Sequence, residues 1–565
     1  MANFFNKNRK FILDTINLED VVRELEDNFE GNGPDSLNGI DEALTWYDML
    51  LNNAGEIAAD RIWPNAEAVD AKGAVFENGD VRWADETVEN MNILAEAGFM
   101  GGTLERKYGG LNLPNIINSI IIEMISQADA SLMNLFGLQD IAVTIQKFGS
   151  EEQKERILPK FARGEVSGAM SLTEPDAGSD LQTVKLKAVE KNGKWYLNGV
   201  KHFITNGSGD VHLVLARTEE GVNDGRGLSM MLYERDENMT VRRIENKLGI
   251  HGSPTCELHY NMAECELIGK RRFGLIKYMM SLLNGARLAT SSQALGIAQA
   301  AFEEAVKYAN EREQFGQKIV NFPAVYQMLK KMEAEVETSR LLLYHSALAV
   351  DLQEIYTKKL EKGENVRKEM KEATILSNFL TPLGKFVCTE MSNQVSYDSL
   401  QIHGGVGYMK DFPVERLYRD ARITNIYEGT TQLQVVAAIG AVTSGFFFSL
   451  IKEKNESKIE NLTEEKKDLI EYISEMEKVV DLVKEADSKE FLDFVANYII
   501  EMASIIYRLY LFLPIADKFE EKRELYKFYS VESNSRLKYL ADKVKNLLDN
   551  YGKDIGNIKE SFIKK

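Results

Sequence analysis

The sequence predicts an α+β chain: a helical region, a β-region, a second helical region of long helices, and an additional helical region at the C-terminal end. Three observations predict it. Apolar residues recur at intervals of three and four over residues 36–168, short β-type runs separated by Gly and Asn turns fill 169–275, and helical periodicity returns from 276 onward. The 565 residues, 44% hydrophobic and 27% charged, have the composition of a folded chain with more than one core, which excludes disordered and collagen-like classes. A net charge of −19 repels phosphate backbones, so nucleic acid is not an expected partner. Cys256, Cys265 and Cys388 have neither CxxC nor His-paired spacing, so no disulfide and no metal site is expected.

Residues 1–35 form an acidic amphipathic lead-in with Phe11, Ile12, Ile16, Val21, Val22 and Leu25, closed by the turn signal Gly31-Asn32-Gly33-Pro34. It is read as a docking helix. Asp14, Glu19 and Asp20 follow too soon for a signal or transit peptide, so the expected address is cytoplasmic. Over 36–168, Ala43, Trp46, Met49 and Leu50, then Ile116, Ile120, Ile121 and Met124, keep helical spacing and predict an N-terminal α-helical domain. The runs Trp195–Leu197, Phe203–Thr205, Val211–Leu215 and Ser229–Leu232 predict a middle β-domain over 169–275. The stripe Leu295, Ala298, Phe302, Ala305 and Ala309 opens the long helices of 276–450. Within them 353–371, dense in Lys and Glu and containing Gly363, is expected to be an exposed loop. Residues 451–565 predict the additional helical domain. The uncharged stretch Gly429–Ile451 is mostly apolar only from Val435, short of the ~20 residues a bilayer core requires, so a buried helix is expected and membrane contact is not.

Five stretches carry chemistry. The chain has no GxGxxG, GxxxxGK[ST] or HExxH, so a phosphate-bearing cofactor needs another cradle. In Gln401-Ile402-His403-Gly404-Gly405-Val406-Gly407, adjacent glycines let backbone N–H groups approach a pyrophosphate, although a plain turn has the same composition. Ser171 to Asp180 is a loop of small residues, hydroxyls and backbone donors, equally compatible with turn chemistry. Phe203-Ile204-Thr205-Asn206-Gly207 places an aromatic face and a hydroxyl on one side of a strand, where a planar ring can stack. Arg312-Glu313-Gln314-Phe315-Gly316 closes a long helix with a cation and an aromatic suited to a dinucleotide, or is an ordinary helix end. In Tyr418-Arg419-Asp420-Ala421-Arg422 followed by Ile426-Tyr427-Glu428-Gly429-Thr430, the Glu428 carboxylate sits among apolar neighbours. Desolvation raises such a group's pKa toward neutrality, which suits a base taking a weakly acidic carbon-bound proton, and Gly429 leaves room for substrate.

Together and in this order, these stretches resemble the acyl-CoA dehydrogenase family over about residues 36–450. The terminal extensions and Lys247–Cys256 look like its larger bacterial branch, which includes methylmercaptopropionyl-CoA dehydrogenase-like enzymes. The resemblance implies N-terminal α-helical, middle β and C-terminal four-helix domains holding FAD, followed here by the extra helical domain. It implies that Leu172 and Thr173 meet the isoalloxazine ring, that Phe203 lies on its face where many relatives have tryptophan, and that Thr205 bonds its N5 edge. Met170 stands where many relatives have a flavin-side aromatic, and Pro323 where some have a glutamine on FAD. Arg312, Gln314 and Phe315 match residues that reach the FAD of a neighbouring subunit, Gln401, Gly404 and Gly405 match those receiving its adenosine and phosphates, and Thr430 and Gln432 continue the flavin contacts. Ser179 and Arg287 match substrate contacts, with pairing to a helix carboxylate as the alternative for Arg287. Glu428 matches the catalytic base; the other base position known in the family, just before Arg287, is occupied by Asn284-Gly285-Ala286 and has no carboxylate. The implied reaction converts an acyl-CoA to a trans-2-enoyl-CoA, with hydride passing to flavin N5 and electrons to an electron-transfer flavoprotein, in a homodimer or homotetramer. An acyl-CoA oxidase and a non-catalytic assembly or scaffold relative are the alternatives.

Overall fold

Asn6 accepts the backbone N–H groups of Asn8 and Arg9 and so starts α1 (Lys7–Asp14), which α2 (Glu19–Leu25) follows; Ile12, Val21 and Val22 give the two a buried side. The computed structural model describes residues 2–31, 36–454, 459–552 and 555–563, so Asn32, Gly33 and Pro34 of the expected turn lie outside the described residues. The lead-in is thus two short helices rather than one, and a charge seats it. Arg9 is fully buried, its Nε 2.8 Å from Glu123 Oε1 and its Nη2 2.6 Å from Gln127 Oε1, and it also donates to the Phe4 carbonyl.

Seven helices follow: α3 (Ile40–Ile57), α4 (Ala66–Lys72), α5 (Asp85–Glu96), α6 (Asn115–Ala128), α7 (Ala130–Phe136), α8 (Ile141–Phe148) and α9 (Glu151–Ala162). Every residue of α6 from Ile116 to Ala128 is buried, which makes it the central helix, and a Ser150–Gln153 capping box starts α9. The helical spacing gave no sign of a hairpin, yet β1 (Val75–Glu77) and β2 (Asp80–Arg82) pair across Asn78-Gly79, both at positive φ, the geometry a two-residue hairpin turn requires.

The β-region has seven strands: β3 (Gly168–Ser171), β4 (Lys187–Lys191), β5 (Lys194–Thr205), β6 (Val211–Arg217), β7 (Leu228–Glu234), β8 (Met239–Ile244) and β9 (Thr255–Leu267). They run in the order β3-β6-β4-β5-β9-β7, with β8 on β9, and a further β6–β7 pairing closes the ring. Both faces of β6 are buried. Val211, Leu213 and Leu215 join Ile145, Ile157 and Phe161 in one core, whereas Val214 and Ala216 join Leu197, Met231 and Tyr260 in another.

The remainder is helical: α10 (Met280–Glu311), α11 (Pro323–Glu361), α12 (Arg367–His403), α13 (Val414–Thr424), α14 (Thr431–Thr443), α15 (Phe446–Lys454), α16 (Thr463–Glu485), α17 (Lys489–Lys518), α18 (Glu520–Tyr551) and α19 (Gly556–Ile563), with a small hairpin of β10 (Glu313–Gln314) and β11 (Gln317–Lys318). The chain divides into two units, Met1–Ala300 with Val406–Thr424, and Ala301–Gly405 with Asn425–Lys565.

In the second unit the expected loop at 353–371 is mostly helix. Lys and Glu are good helix formers, so α11 runs to Glu361 and α12 begins at Arg367, leaving a five-residue connection around Gly363. The stretch Gly429–Ile451 is not one buried helix either: α14 and α15 meet at 65°, with Gly445 at φ 87° in the break. Phe447 and Phe448 are buried, and the Phe447 ring lies edge-on to Phe379 with centroids 5.8 Å apart. Among the described residues one helix, α17, is long and apolar enough to cross a membrane, and 78% of its apolar window is buried within the protein. Charges join the last helices to α11: Arg508 lies 2.6 Å from Glu335 and Lys522 lies 2.6 Å from Glu337.

Candidate active site

Strand β3 leads into the 171–180 loop, and buried groups fix the loop's backbone. The Glu174 carboxylate accepts the backbone N–H groups of Lys185 and Leu186 and, at 3.0 Å, Lys201 Nζ, which also donates to the Leu172 carbonyl at 2.7 Å. Lys201 is fully buried, and desolvation brings its pKa down to about 8 against the pull of Glu174. The His202 N–H donates to the Thr173 carbonyl at 2.9 Å. Residues 172–174 therefore present a fixed backbone; the Leu172 side chain belongs to the core, Met170 and Thr173 are half-buried, and Ser179 is exposed on the loop.

Pairing of β5 with β9 slips between Lys201 and Ile204, and Phe203 sits in that irregularity at φ 59°. The bulge pushes its ring outward, where it is 57% exposed. Ile204 is buried and Thr205 half-buried, so Phe203 and Thr205 share the outer side as the strand period requires. His202, Glu245 and Glu257 bring ligand atoms within 4.8 Å of one another. Cations already fill that cluster, since Arg243 pairs with both carboxylates at 3.2 and 3.1 Å and Arg242 with Glu257 at 3.3 Å. On α10, half-buried Arg287 donates to Asn284 Oδ1 at 3.2 Å.

The stretch Tyr418–Arg422 belongs to the first unit, and part of it is structural. Arg419 binds Asp70 at 2.6 Å and Glu415 at 2.7 Å. The fully buried Asp420 accepts the Ile250 N–H, and desolvation pushes its pKa up to about 6.

In the second unit α12 ends at His403, on whose buried ring Tyr308 stacks with centroids 4.3 Å apart. Gly404 follows at φ 64°, and a Cβ added at Gly404 or Gly405 would meet nothing within 4 Å. The backbone there stands clear at the surface beside the exposed Gln401, as a phosphate cradle requires, so these residues fit the dinucleotide the resemblance implies. Past α10, Arg312, Gln314 and Phe315 are all exposed; Phe315-Gly316 forms the two-residue turn between β10 and β11, and the Phe315 ring is 93% exposed.

Glu428 follows α13 and precedes α14 in the chain and is half-buried, at φ 53°, with Gly429 at φ 90°. A left-handed non-glycine residue costs on the order of 1–3 kcal/mol unless its surroundings hold it. Here they do. Lys385 on α12, fully buried, donates to the carbonyls on both sides of Glu428, Tyr427 at 2.7 Å and Gly429 at 2.6 Å. Gln434 Nε2 donates to the Gly429 carbonyl at 2.8 Å and to that of Glu428 at 3.3 Å. At φ 90° Gly429 holds a backbone conformation that favours glycine, and an added Cβ would also press on Gln434 Nε2 at 2.6 Å. Thr430 is half-buried at the start of α14, and Gln432 is exposed on its first turn. Sequence reasoning missed Lys385 and Gln434. The available signal was a single charge inside the otherwise uncharged run Phe379–Cys388.

The chain matches the acyl-CoA dehydrogenase N-terminal domain over residues 47–165, the middle domain over 169–263 and the C-terminal domain over 276–439, and a further acyl-CoA dehydrogenase C-terminal region over 443–530. It is 37% identical over 349 residues to the acyl-CoA dehydrogenase of Bacillus subtilis, covering 60% of this chain and 86% of that one. It is 33% identical over 438 residues to 3-methylmercaptopropionyl-CoA dehydrogenase of Ruegeria pomeroyi, covering 71% and 72%. A chain in a structure of the electron-transferring flavoprotein of Acidaminococcus fermentans superposes with a TM-score of 0.60 at 34% identity, covering 70% of this chain and 97% of that one. An acyl-CoA dehydrogenase of Bacillus anthracis complexed with FAD superposes with a TM-score of 0.75 at 24% identity over 88% of each chain, a likeness of fold.

Proposed function

This chain belongs to the acyl-CoA dehydrogenase family of FAD-dependent oxidoreductases, and on that premise we propose that it converts an acyl-CoA thioester to the trans-2-enoyl-CoA with Glu428 as the base. The observation that carries the assignment is the Glu428–Gly429 turn: a carboxylate held in a left-handed conformation by two side chains that bind the carbonyls around it. Such strain persists where surrounding structure enforces it, and active sites are where it collects.

FAD supplies the acceptor for the hydride that leaves the β-carbon. In this reading the pinned backbone at Leu172 and Thr173, the open face of Phe203, Thr205 and Met170 bind the flavin end. Gln401, Gly404 and Gly405 take the adenosine and phosphate end, joined by Arg312, Gln314 and Phe315 from a neighbouring subunit, and Thr430 and Gln432 border the flavin beyond the base. Ser179 and Arg287 orient the CoA thioester, and Gly429 lets it approach. The Glu428 carboxylate takes the α-proton while its backbone N–H donates to the thioester carbonyl, where negative charge grows as the proton leaves. The protein works in the cytoplasm as a homodimer or homotetramer and passes its electrons to an electron-transfer flavoprotein. The bare Phe315 tip supports the oligomer, because a ring so exposed packs against little of its own chain.

An anaerobic absorbance titration tests the reading. The purified yellow protein is titrated with acyl-CoAs from propionyl to palmitoyl, and one chain class is expected to bleach the flavin bands and yield an enoyl-CoA. A colourless protein that takes up no FAD, or a yellow one that no acyl-CoA bleaches, would contradict it.

A further inference from the structure

We propose that Lys385 is a positioning residue that aims and polarises the backbone N–H of Glu428; the inference rests on the reading above, in which that N–H meets the thioester carbonyl. Lys385 Nζ lies 2.7 Å from the Tyr427 oxygen and 2.6 Å from the Gly429 oxygen, distances typical of charge-assisted bonds, and the side chain is fully buried. The Tyr427 carbonyl and the Glu428 N–H belong to one planar trans peptide and point in opposite directions. Binding the carbonyl to Lys385 therefore fixes the plane and sends the N–H away from α12. On the far side of the base the Gly429 oxygen is held by both Lys385 and Gln434, and Gln434 also reaches the Glu428 oxygen. Three successive carbonyls are thus tied, and the intervening residue cannot relax from its φ of 53° without breaking one of them.

The second effect is electrical. A cation hydrogen-bonded to an amide oxygen draws electron density toward that oxygen and makes the N–H at the other end of the same peptide a stronger donor, and burial keeps water from screening the effect. Both of these acceptors are uncharged peptide oxygens, so these two bonds act on the peptide dipoles. A neutral amide side chain could aim the same peptide, but only the cation also polarises it. The polarised donor matters most when the α-proton leaves and charge collects on the thioester oxygen, and this assigns Lys385 to the transition state rather than to ground-state binding.

The probe is a 3-oxoacyl-CoA, whose α-proton ionises without any hydride transfer, bound to the FAD-loaded protein while the ultraviolet absorbance of its enolate is followed against pH. The wild type is expected to bring the ionisation well below that of the free thioester. Lys385→Gln and Lys385→Met are expected to raise it by about one pH unit or more, roughly tenfold less enolate at a fixed pH. Lys385→Arg, which keeps the cation but moves it, is expected to fall between. In turnover the neutral variants should lose about 10- to 100-fold in kcat, less than deletion of an oxyanion donor at its strongest, with KM nearly unchanged. FAD content is read in parallel. FAD-replete neutral variants with wild-type ionisation and wild-type kcat would overturn the proposal. Should both neutral variants fail to fold, Lys385→Arg decides by the same ionisation, and a wild-type value there overturns it. If the wild type itself neither shifts the ionisation nor is bleached by any acyl-CoA, the catalytic reading fails and takes this proposal with it.

Discussion

The ring of His202 lies flat on the ring of Phe203, their centroids 3.9 Å apart and their planes within 15° of parallel. One face of the aromatic that offers itself to a planar cofactor is thus covered by its own neighbour, and His202 is in turn anchored to Glu245 at 3.0 Å. The pair acts as a braced platform, because the ring stacked on Phe203 is itself held by Glu245.

Replacement of Phe203 by Ala should therefore weaken FAD binding by roughly 2- to 13-fold, the equivalent of one aromatic stacking contact of about 0.5–1.5 kcal/mol. His202→Ala should weaken it less, through loss of the brace. Titration of the apoprotein with FAD, followed by flavin fluorescence, measures both.

Gly429→Ala should cripple turnover while leaving the fold and bound FAD in place. The new Cβ would stand 2.6 Å from Gln434 Nε2 on a residue at φ 90°, so the turn must open and the Glu428 carboxylate moves with it. A kcat reduced by about 100-fold or more at unchanged FAD content is the expected result, because small misplacements of a reacting group are this costly.

Arg9 and Glu123 form an ion pair with both side chains fully buried, so removing one partner takes this counter-ion from a buried charge. Arg9→Met or Glu123→Leu alone should cost about 3–5 kcal/mol in chemical denaturation of the first unit, and the double variant should recover much of the loss.

Asp420 gives the stability a pH dependence of defined sign. Desolvation places its folded pKa at about 6, above the ordinary carboxylate value of 3.8, with Arg416 opposing the rise and Asp70 and Asp129 adding to it. The folded state then holds a proton that the unfolded chain has released, so this group's contribution is favourable below the unfolded value and declines as pH rises from about 4 to about 6. Asp420→Asn, which keeps an acceptor for the Ile250 N–H, should flatten that part of a denaturation midpoint measured from pH 4 to 7.

What the sequence made legible was local. Glu428 beside Gly429, the Gly404-Gly405 pair and the Phe203–Thr205 strand each stand out within a few residues as candidates, their roles resting on the combination rather than on any one of them, and the three-part alternation of texture predicted the architecture. Lys385 was hidden because it acts on residues 42 and 44 positions away, and nothing in its own helix encodes that reach. Arg9, 114 residues from Glu123, was hidden for the same reason. At 353–371 charge density suggested solvent, but Lys and Glu extend helices as readily as they line loops, and the helices won. At Gly445 the short run Thr443-Ser444-Gly445 was passed over inside a mostly apolar stretch, and the left-handed glycine bends the backbone there.

The central claim is that Glu428 removes the substrate's α-proton, and rapid mixing of the FAD-loaded Glu428→Gln variant with the acyl-CoA that best bleaches the wild type tests it most directly. Gln keeps the size of the side chain and the backbone N–H but cannot accept the proton. Flavin reduction slowed by roughly 100- to 10,000-fold, at unchanged FAD content and with acyl-CoA still bound, is the predicted result. Reduction at the wild-type rate would place the base elsewhere and contradict the account.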